Sequence, residues 1–449
     1  MTLRASLLRE LDNPSLSVAT HAELCCELAR EHEDRGEYDA ARKALGEYWR
    51  RIGERPRVKG LEPNAKGEVL LRAGVLTGLI GSRQQLSEAQ ETAKNLISES
   101  LTIFQTSNYR KKIAEAQTEL ALCYWRTGEI NEARDVLADA LSRLTVDNEL
   151  KAKAVLRIAI VELEATECHK ALSILTDYAT LFQKINNKTL KGSYYSTLAN
   201  VLERLWETER KTEYLDRALV EYAAASYYFE KAEHRCYLAS VENNLGLLYF
   251  TIHRFNEAHK HLDHARRVFA SLKDPGSIAQ VDDTRASVFL EQGRVIEAER
   301  VARSAVRILE RSGRHDTLAE ALVTHGRALA RLTHFGAALS AFRRAIDLAQ
   351  QIGSNSRAAD AALAAFQELG EHLAAVDKGE AVSGRALGQE KKTIEHQSIR
   401  LALRQAKGSV TDAARILGIS YQTLGYMLNT RHKDLLKYRA PVRRRSRKK

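Results

Sequence analysis

An alanine returns eight times along this chain at nearly constant spacing, and that period constrains the fold more than any other feature. The positions are Ala41, Ala93, Ala133, Ala171, Ala218, Ala258, Ala298 and Ala338. Their separations are 52, 40, 38, 47, 40, 40 and 40 residues. Twelve residues before six of them stands a second small residue: Ala29, Ala121, Ala159, Gly246, Ala286 and Gly326. Two antiparallel helices approach closely only where their side chains are small, so each pair of small residues marks a helical hairpin. A hairpin repeated every ~40 residues implies an α-solenoid, in which each unit buries its large apolar positions, such as Leu245, Tyr249 and Leu262, against the next. The turns Arg35-Gly36, Thr127-Gly128 and Gln292-Gly293 fall where hairpins must reverse. In two repeats the small pair, Gly74 to Ala93 and Ala199 to Ala218, is nineteen apart, which places seven extra residues between the helices.

The segments LALCYWRTGEINEARDVLADAL (120–141) and NLGLLYFTIHRFNEAHKHLDHARRVF (244–269) resemble tetratricopeptide repeats. The period, longer than the usual ~34 residues, is similar to the extended variety of bacterial signalling proteins. The resemblance spans roughly 20–350, about eight repeats, with 355–370 as a capping helix. It implies a concave groove lined by the inner helices and a peptide or protein ligand bound there. Trp125, Asn200, Asn243 and Arg327 fall at groove-facing positions. Amides clamp an extended backbone and a guanidinium holds a carboxylate, although each of these residues is equally well read as ordinary helix surface.

Charge is distributed unevenly. The chain carries a formal +11. Residues 391–449 contain sixteen Lys and Arg against three acids, a net +13, so residues 1–390 are left at −2. A basic excess confined to one end is the footprint of a polyanion binder.

That end reads QSIRLALRQAKGSVTDAARILGISYQTLGYML from Gln397 to Leu428. Ala414 is small where two helices would cross, Gly418 stands where a tight turn needs a left-handed backbone, and Leu424 and Met427 return to a core. Ala402-Leu403, Gly408, Val410-Thr411, Ala413-Ala414, Leu417-Gly418-Ile419-Ser420, Thr423-Leu424 and Leu428 together resemble the Fis-type helix-turn-helix. The resemblance implies a second helix lying in a DNA major groove and a homodimer on two half-sites. Ser420 would cap that helix. Tyr421, Gln422, Thr423, Tyr426 and Asn429 would face DNA, with Gln422 pairing to adenine. The family usually places basic residues where Tyr421, Tyr426 and Met427 stand, so Arg431 and the arm holding Arg443, Arg444 and Arg445 are expected to supply phosphate contacts.

The chain has no phosphate loop, nucleophile elbow, HExxH or dinucleotide turn, so no enzyme, cofactor or metal site is expected. His253, His259, His261 and His264 cluster without acidic or thiol partners and read as surface or packing residues. The five cysteines (Cys25, Cys26, Cys123, Cys168, Cys236) form no CxxC pair and suit a reducing cytoplasm as buried free thiols. No apolar run approaches the ~20 residues of a membrane span.

These features predict an all-α chain in four parts: 1–370 the solenoid, 371–392 a flexible linker with Gly379, Gly384 and Gly388, 393–438 the helix-turn-helix, and 439–449 a basic disordered tail. The expected function is a cytoplasmic transcriptional regulator that binds double-stranded DNA under control of a solenoid ligand. The alternatives are a scaffold whose terminal helices mediate assembly, and RNA binding through the tail.

Overall fold

The computed structural model describes residues 3–439 except 85, 87, 354, 377–383 and 418; for 355, 356, 366, 369–376 and 384–394 it describes the backbone alone. The chain divides into two compact units, Met1–Ile252 and His253–Lys449. Every regular element among the described residues is helical. The first unit holds α1 (Leu3–Leu11), α2 (Val18–Glu33), α3 (Tyr38–Ala44), α4 (Pro63–Gln84), α5 (Ala89–Thr106), α6 (Arg110–Arg126) and α7 (Ile130–Arg143). It continues with α8 (Glu149–Glu164), α9 (Cys168–Asp177), α10 (Ala179–Lys184), α11 (Lys188–Glu209), α12 (Thr212–Lys231) and α13 (Arg235–Thr251). The second unit holds α14 (Phe255–Ser271), α15 (Pro275–Glu291), α16 (Val295–Leu309), α17 (His315–Arg331), α18 (Phe335–Gln351) and α19 (Asn355–Val376). It ends with α20 (Gly384–Gln405), α21 (Val410–Ile416), α22 (Tyr421–Thr430) and a 3-10 helix, Lys433–Tyr438.

The small-residue code is borne out as packing. All eight recurring alanines are fully buried. A Cβ added to Gly74 would lie 2.7 Å from Ile97 and 3.2 Å from the Ala93 carbonyl, so this crossing tolerates only glycine. The hairpin turns at Gly36, Gly128 and Gly293 carry φ of 72°, 81° and 73°, the left-handed region where glycine is unstrained. Thr166, His253 and Thr333 reverse other hairpins with φ of 64°, 58° and 63°, so glycine marked only some of the turns.

Two expectations need correction. The seven extra residues do not lengthen a loop. Only Arg210 and Lys211 separate α11 from α12, and these helices run to 22 and 20 residues against 17 in α15 and α17. Seven residues are two helical turns, which keep the facing helices in register as they extend. Secondly, the expected linker is helical wherever it is described: residues 371–376 belong to α19 and 384–392 to α20. A glycine inside a helix costs ~1 kcal/mol, which tertiary packing outweighs. Here Leu401 of α20 is buried among Ala358, Ala359, Ala361 and Ala362 of α19, and the Ser398 hydroxyl donates to the Ala362 carbonyl at 3.0 Å.

Four of the five cysteines are buried free thiols, Cys236 being half-buried. Burial pushes Cys25 and Cys123 up to about 11, so neither is a reactive thiolate at neutral pH. His259 packs on Phe289, with ring centroids 5.0 Å apart, and shares a 3.0 Å hydrogen bond with Gln292, as a packing histidine does. No helix among the described residues is long and apolar enough to cross a membrane.

Candidate nucleic-acid interface and half-open cavity

The C-terminal helices close around one small core: Ile399, Ala402 and Leu403 from α20, Val410, Ala413 and Ala414 from α21, Leu424, Met427 and Leu428 from α22, and Leu435. Thus α20 is a helix with two buried faces, one against α19 and one inside this module. It ends in a left-handed turn at Lys407 and Gly408, with φ of 49° and 82°, where the Gly408 amide donates to the Leu403 carbonyl at 2.7 Å. Ser409 then caps α21, its hydroxyl accepting from the Asp412 amide at 3.3 Å. Ser420 caps α22 by accepting from the Thr423 amide at 3.0 Å. Each cap satisfies an amide that the first helical turn would leave unpaired. Gly418, expected to make the turn between α21 and α22, lies outside the described residues, as do Arg443, Arg444 and Arg445.

The apolar positions of α22 turn inward and leave Tyr421, Gln422, Thr423, Tyr426 and Asn429 exposed with the capping Ser420. Two of them are already engaged. The Asn429 amide donates to the Gly425 carbonyl at 2.8 Å, and the Thr423 hydroxyl lies 2.8 Å from that of Ser420. Arg431 follows the helix and is also exposed, but it shares Glu395 at 3.7 Å with the buried His432, whose Nε2 is 3.1 Å from that carboxylate. His396 meets Asp434 at 2.5 Å. These contacts tie the start of the described part of α20 to the segment after α22. They were missed in the sequence because Glu395 and His432 are 37 positions apart with no periodic relation. The remaining positive charge is spread around the module on exposed Arg404, Lys407, Arg415, Lys433, Lys437 and Arg439.

The first unit contains a cavity of about 360 Å³ lined by the first helix of successive hairpins, α2, α4, α6, α8, α11 and α13. That volume is in the range of small-ligand sites, ~300–1,000 Å³. The turn after α2 reaches the later hairpins: Thr189 Oγ1 donates to the Asp34 carbonyl at 2.6 Å, and Asn187 Nδ2 donates to its carboxylate at 3.3 Å. A Cβ on Gly36 would sit 2.6 Å from the His234 ring. The hairpins of this unit therefore curl until the first touches the fifth and sixth. Desolvation pushes Asp34 up to about 6, opposed by Lys153, and pushes His234 down to about 4, leaving it a neutral imidazole at pH 7.

Charged groups cross the cavity wall. Glu119 is buried; it accepts a hydrogen bond from Arg157 and is ion-paired with Lys153, each at 2.6 Å. Burial alone would raise its pKa, but Arg157, Lys153 and Arg72 outweigh burial and hold it far below the usual range. Fully buried Arg72 bridges Glu33 and Glu115, both at 2.8 Å. Of the four residues expected to line a groove, only Trp125 lines this cavity. Asn200 Oδ1 lies 2.6 Å from the Tyr222 hydroxyl, within hairpin packing. Asn243 does not line it; its neighbour Asn244, about 100° round the helix, does. Arg327 lies in the other unit and is paired with Glu368 at 3.6 Å. The sequence reading missed Arg126, Lys153, Arg157, Tyr38 and Tyr237, since only the curl of the hairpins brings them together.

Comparison with known families agrees with both halves of this description. Residues 277–351 match the tetratricopeptide repeat model, and residues 392–429 match the model described as bacterial regulatory protein, Fis family. No curated protein matches the chain. Among solved structures, the apo form of the quorum sensor NprR from B. thuringiensis is similar at a TM-score of 0.54 and 13% identity, over 77% of this chain and 91% of that one. A Rap protein complexed with Competence and Sporulation Factor gives 0.52 and 13%, over 78% and 96%. The human IFIT1 dimer with PPP-AAAA gives 0.51 and 12%, over 77% and 76%. At these identities the likeness is one of fold. The chain thus carries a tetratricopeptide repeat and a C-terminal Fis-type helix-turn-helix, the domains of a DNA-binding regulator with a helical-repeat region.

Proposed function

We propose that this protein is a cytoplasmic transcriptional regulator whose helical-repeat region binds a peptide and thereby controls the C-terminal DNA reader. The observation that carries the DNA half is α22: a capped helix with one buried face and a polar outer face, set in the only strongly basic stretch of the chain. Such a helix enters the major groove, with Gln422 reading a base edge and Thr423 touching phosphate or a thymine methyl. Arg431 and the arm with Arg443, Arg444 and Arg445 contribute phosphate contacts, and two copies read two half-sites. The peptide half is supported by the half-open cavity and by the likeness in fold to a Rap protein complexed with Competence and Sporulation Factor.

Control has a route in the packing. Since α20 is buried against α19 on one face and inside the reader on the other, this packing would carry a shift of the last repeats to the reader. The test is an electrophoretic shift of the full chain on random-sequence duplex DNA with competing RNA, followed by selection of bound sequences. Duplex binding that enriches a two-fold site is expected. Preference for RNA would replace the DNA reading with RNA binding through the tail, and no retardation at ~50 mM salt, where phosphate contacts are strong, would leave the assembly scaffold.

A further inference from the structure

The outer face of α12 differs from that of the other hairpins. Val220 and Tyr227 stand there 66% and 54% exposed, seven residues apart and so on one line of the helix. Among the described residues, no other second helix of a hairpin exposes two large apolar side chains. The nearest case, α16, exposes Ile296 alone, ahead of the exposed Arg300, Arg303 and Arg307. Between Val220 and Tyr227 lie Ala223 and Ala224, small enough to let another helix come close. The Tyr227 ring is held in place: it meets Tyr228 edge-on with centroids 5.3 Å apart, and Tyr228 stacks on Tyr195 at 5.3 Å with 3° between the planes. A ring fixed in advance loses little entropy on docking.

Two charged rows flank that line. Asp216, Ala223 and Glu230 follow one another at intervals of seven on one side, and Arg217, Ala224 and Lys231 do so on the other. All four charges are exposed, and among the described residues none of the four joins an ion pair within the chain. We propose that a second copy of this chain docks here, the two α12 helices lying side by side and running the same way about a two-fold axis along them. Each Val220 and each Tyr227 then meets its own counterpart, as an isologous interface requires. The two-fold carries the acidic row of each copy against the basic row of the other, so Asp216 faces Arg217 and Glu230 faces Lys231 across the contact. Helices running opposite ways would set acid against acid and base against base, which opposes association. The face is therefore complementary to itself, and in one direction only. This deepens the reading in which two copies read two half-sites, and rests on it. One helix pair buries less than the ~1,200 Å² of a standard interface, so a reversible, micromolar association is expected.

The test is sedimentation equilibrium of the full chain without DNA, from ~1 to ~200 µM, which spans a micromolar dissociation constant. A dimer that dissociates on dilution is expected. Arg217→Glu with Lys231→Glu makes both rows acidic, and Asp216→Lys with Glu230→Lys makes both basic. Either double variant alone should associate at least ~10-fold more weakly, as facing like charges do. Mixed in equal amounts, the two should form a dimer at least as strong as the parent's, a recovery that misfolded chains could not give. Tyr227→Ala, which alters no charge, should also weaken association. A monomer across the whole range, a dimer indifferent to either double variant, or no recovery on mixing would each overturn the proposal. The DNA reading is tested separately by a shift assay on the same proteins. A dimer that follows the charge pattern but retards no duplex would leave this interface standing and remove the DNA reader. Retardation by a chain whose dimer ignores these substitutions would remove the interface and leave the reader.

Discussion

The joint between α19 and α20 decides whether the reader is tethered or docked, and Leu401 tests it. Its side chain is 4% exposed, packed on the alanine stripe of α19 together with Ile346 of α18. It belongs to that cluster and not to the core shared by α21 and α22. Leu401→Ala removes buried apolar atoms where the alanines are too small to close the gap, so the cost should be ~2–5 kcal/mol. On a free tether the same position would be solvated and the change would cost less than ~0.5 kcal/mol. If the loss falls on docking alone, the undocked fraction rises by about 30-fold or more, since ~1.4 kcal/mol is a factor of ten. Hydrogen exchange on the full chain would read this. Amides of 358–362 and 398–403 should lose protection, while those of 410–416 and 421–428 keep theirs because their own core is untouched. Unchanged protection of both helices and an unchanged melting temperature would refute docking. A collapse of protection throughout 399–435 would show instead that the reader cannot fold away from α19.

Further outcomes follow from single contacts. Gly408→Val places a β-branched residue at φ 82° in a buried turn and should unfold the reader, whereas Ser420→Ala removes one cap and should cost ~1 kcal/mol, both read by thermal melting and by DNA shift. A Cβ on Gly425 meets nothing within 4 Å, so Gly425→Ala should stabilise the free protein by ~1 kcal/mol; weakened DNA binding in that stabilised variant would mark Gly425 as a site of close approach to DNA. Gln422→Ala should relax base preference at one position of each half-site by ~1–3 kcal/mol, measured by selection of bound sequences; unaltered preferences would remove Gln422 from base reading. Asp34, raised from 3.8 to about 6, keeps its proton in the folded chain at pH values where the unfolded chain has lost it, so its contribution to stability falls as pH rises from about 4 to 6 and is flat above. Asp34→Asn should therefore gain on the parent across that window, by ~1–3 kcal/mol at pH 7 after allowance for solvent screening; a gain that does not vary with pH would contradict the assignment.

What was legible in the sequence, and what was not, divides along the range of the interaction involved. Ala133 and Ala121, or Ala298 and Ala286, are set by the crossing of neighbouring helices, a local constraint that recurs and so prints a period. The reader was legible for the same reason. Leu424 and Met427 sit at helical spacing on α22, Ala414 is small on α21, and Ser420 stands one residue before a helix. Three things were hidden. The two extra helical turns in the long hairpins left the small-residue spacing ambiguous between loop and helix, because seven residues can be either. The glycines at 384 and 388 were read as a break because their local cost is visible, while the gain that outweighs it lies in the stripe of alanines some 25 residues earlier. The cavity depended on the curl of six hairpins, which places Asp34 on Thr189 and brings Arg126 of α6 beside Lys153 and Arg157 of α8.

The same division explains why Trp125 was found and Arg126 was not. Both end α6 with the motif LCYWRTGE, and an arginine before a helix-ending Thr-Gly reads as a solvated charge that suits the helix terminus. Only the later hairpins, which lie beside that terminus, make it part of a cavity wall. The pair beside it was hidden for the same reason: Glu119 and Arg157 are 38 positions apart, with no periodic relation to announce their contact.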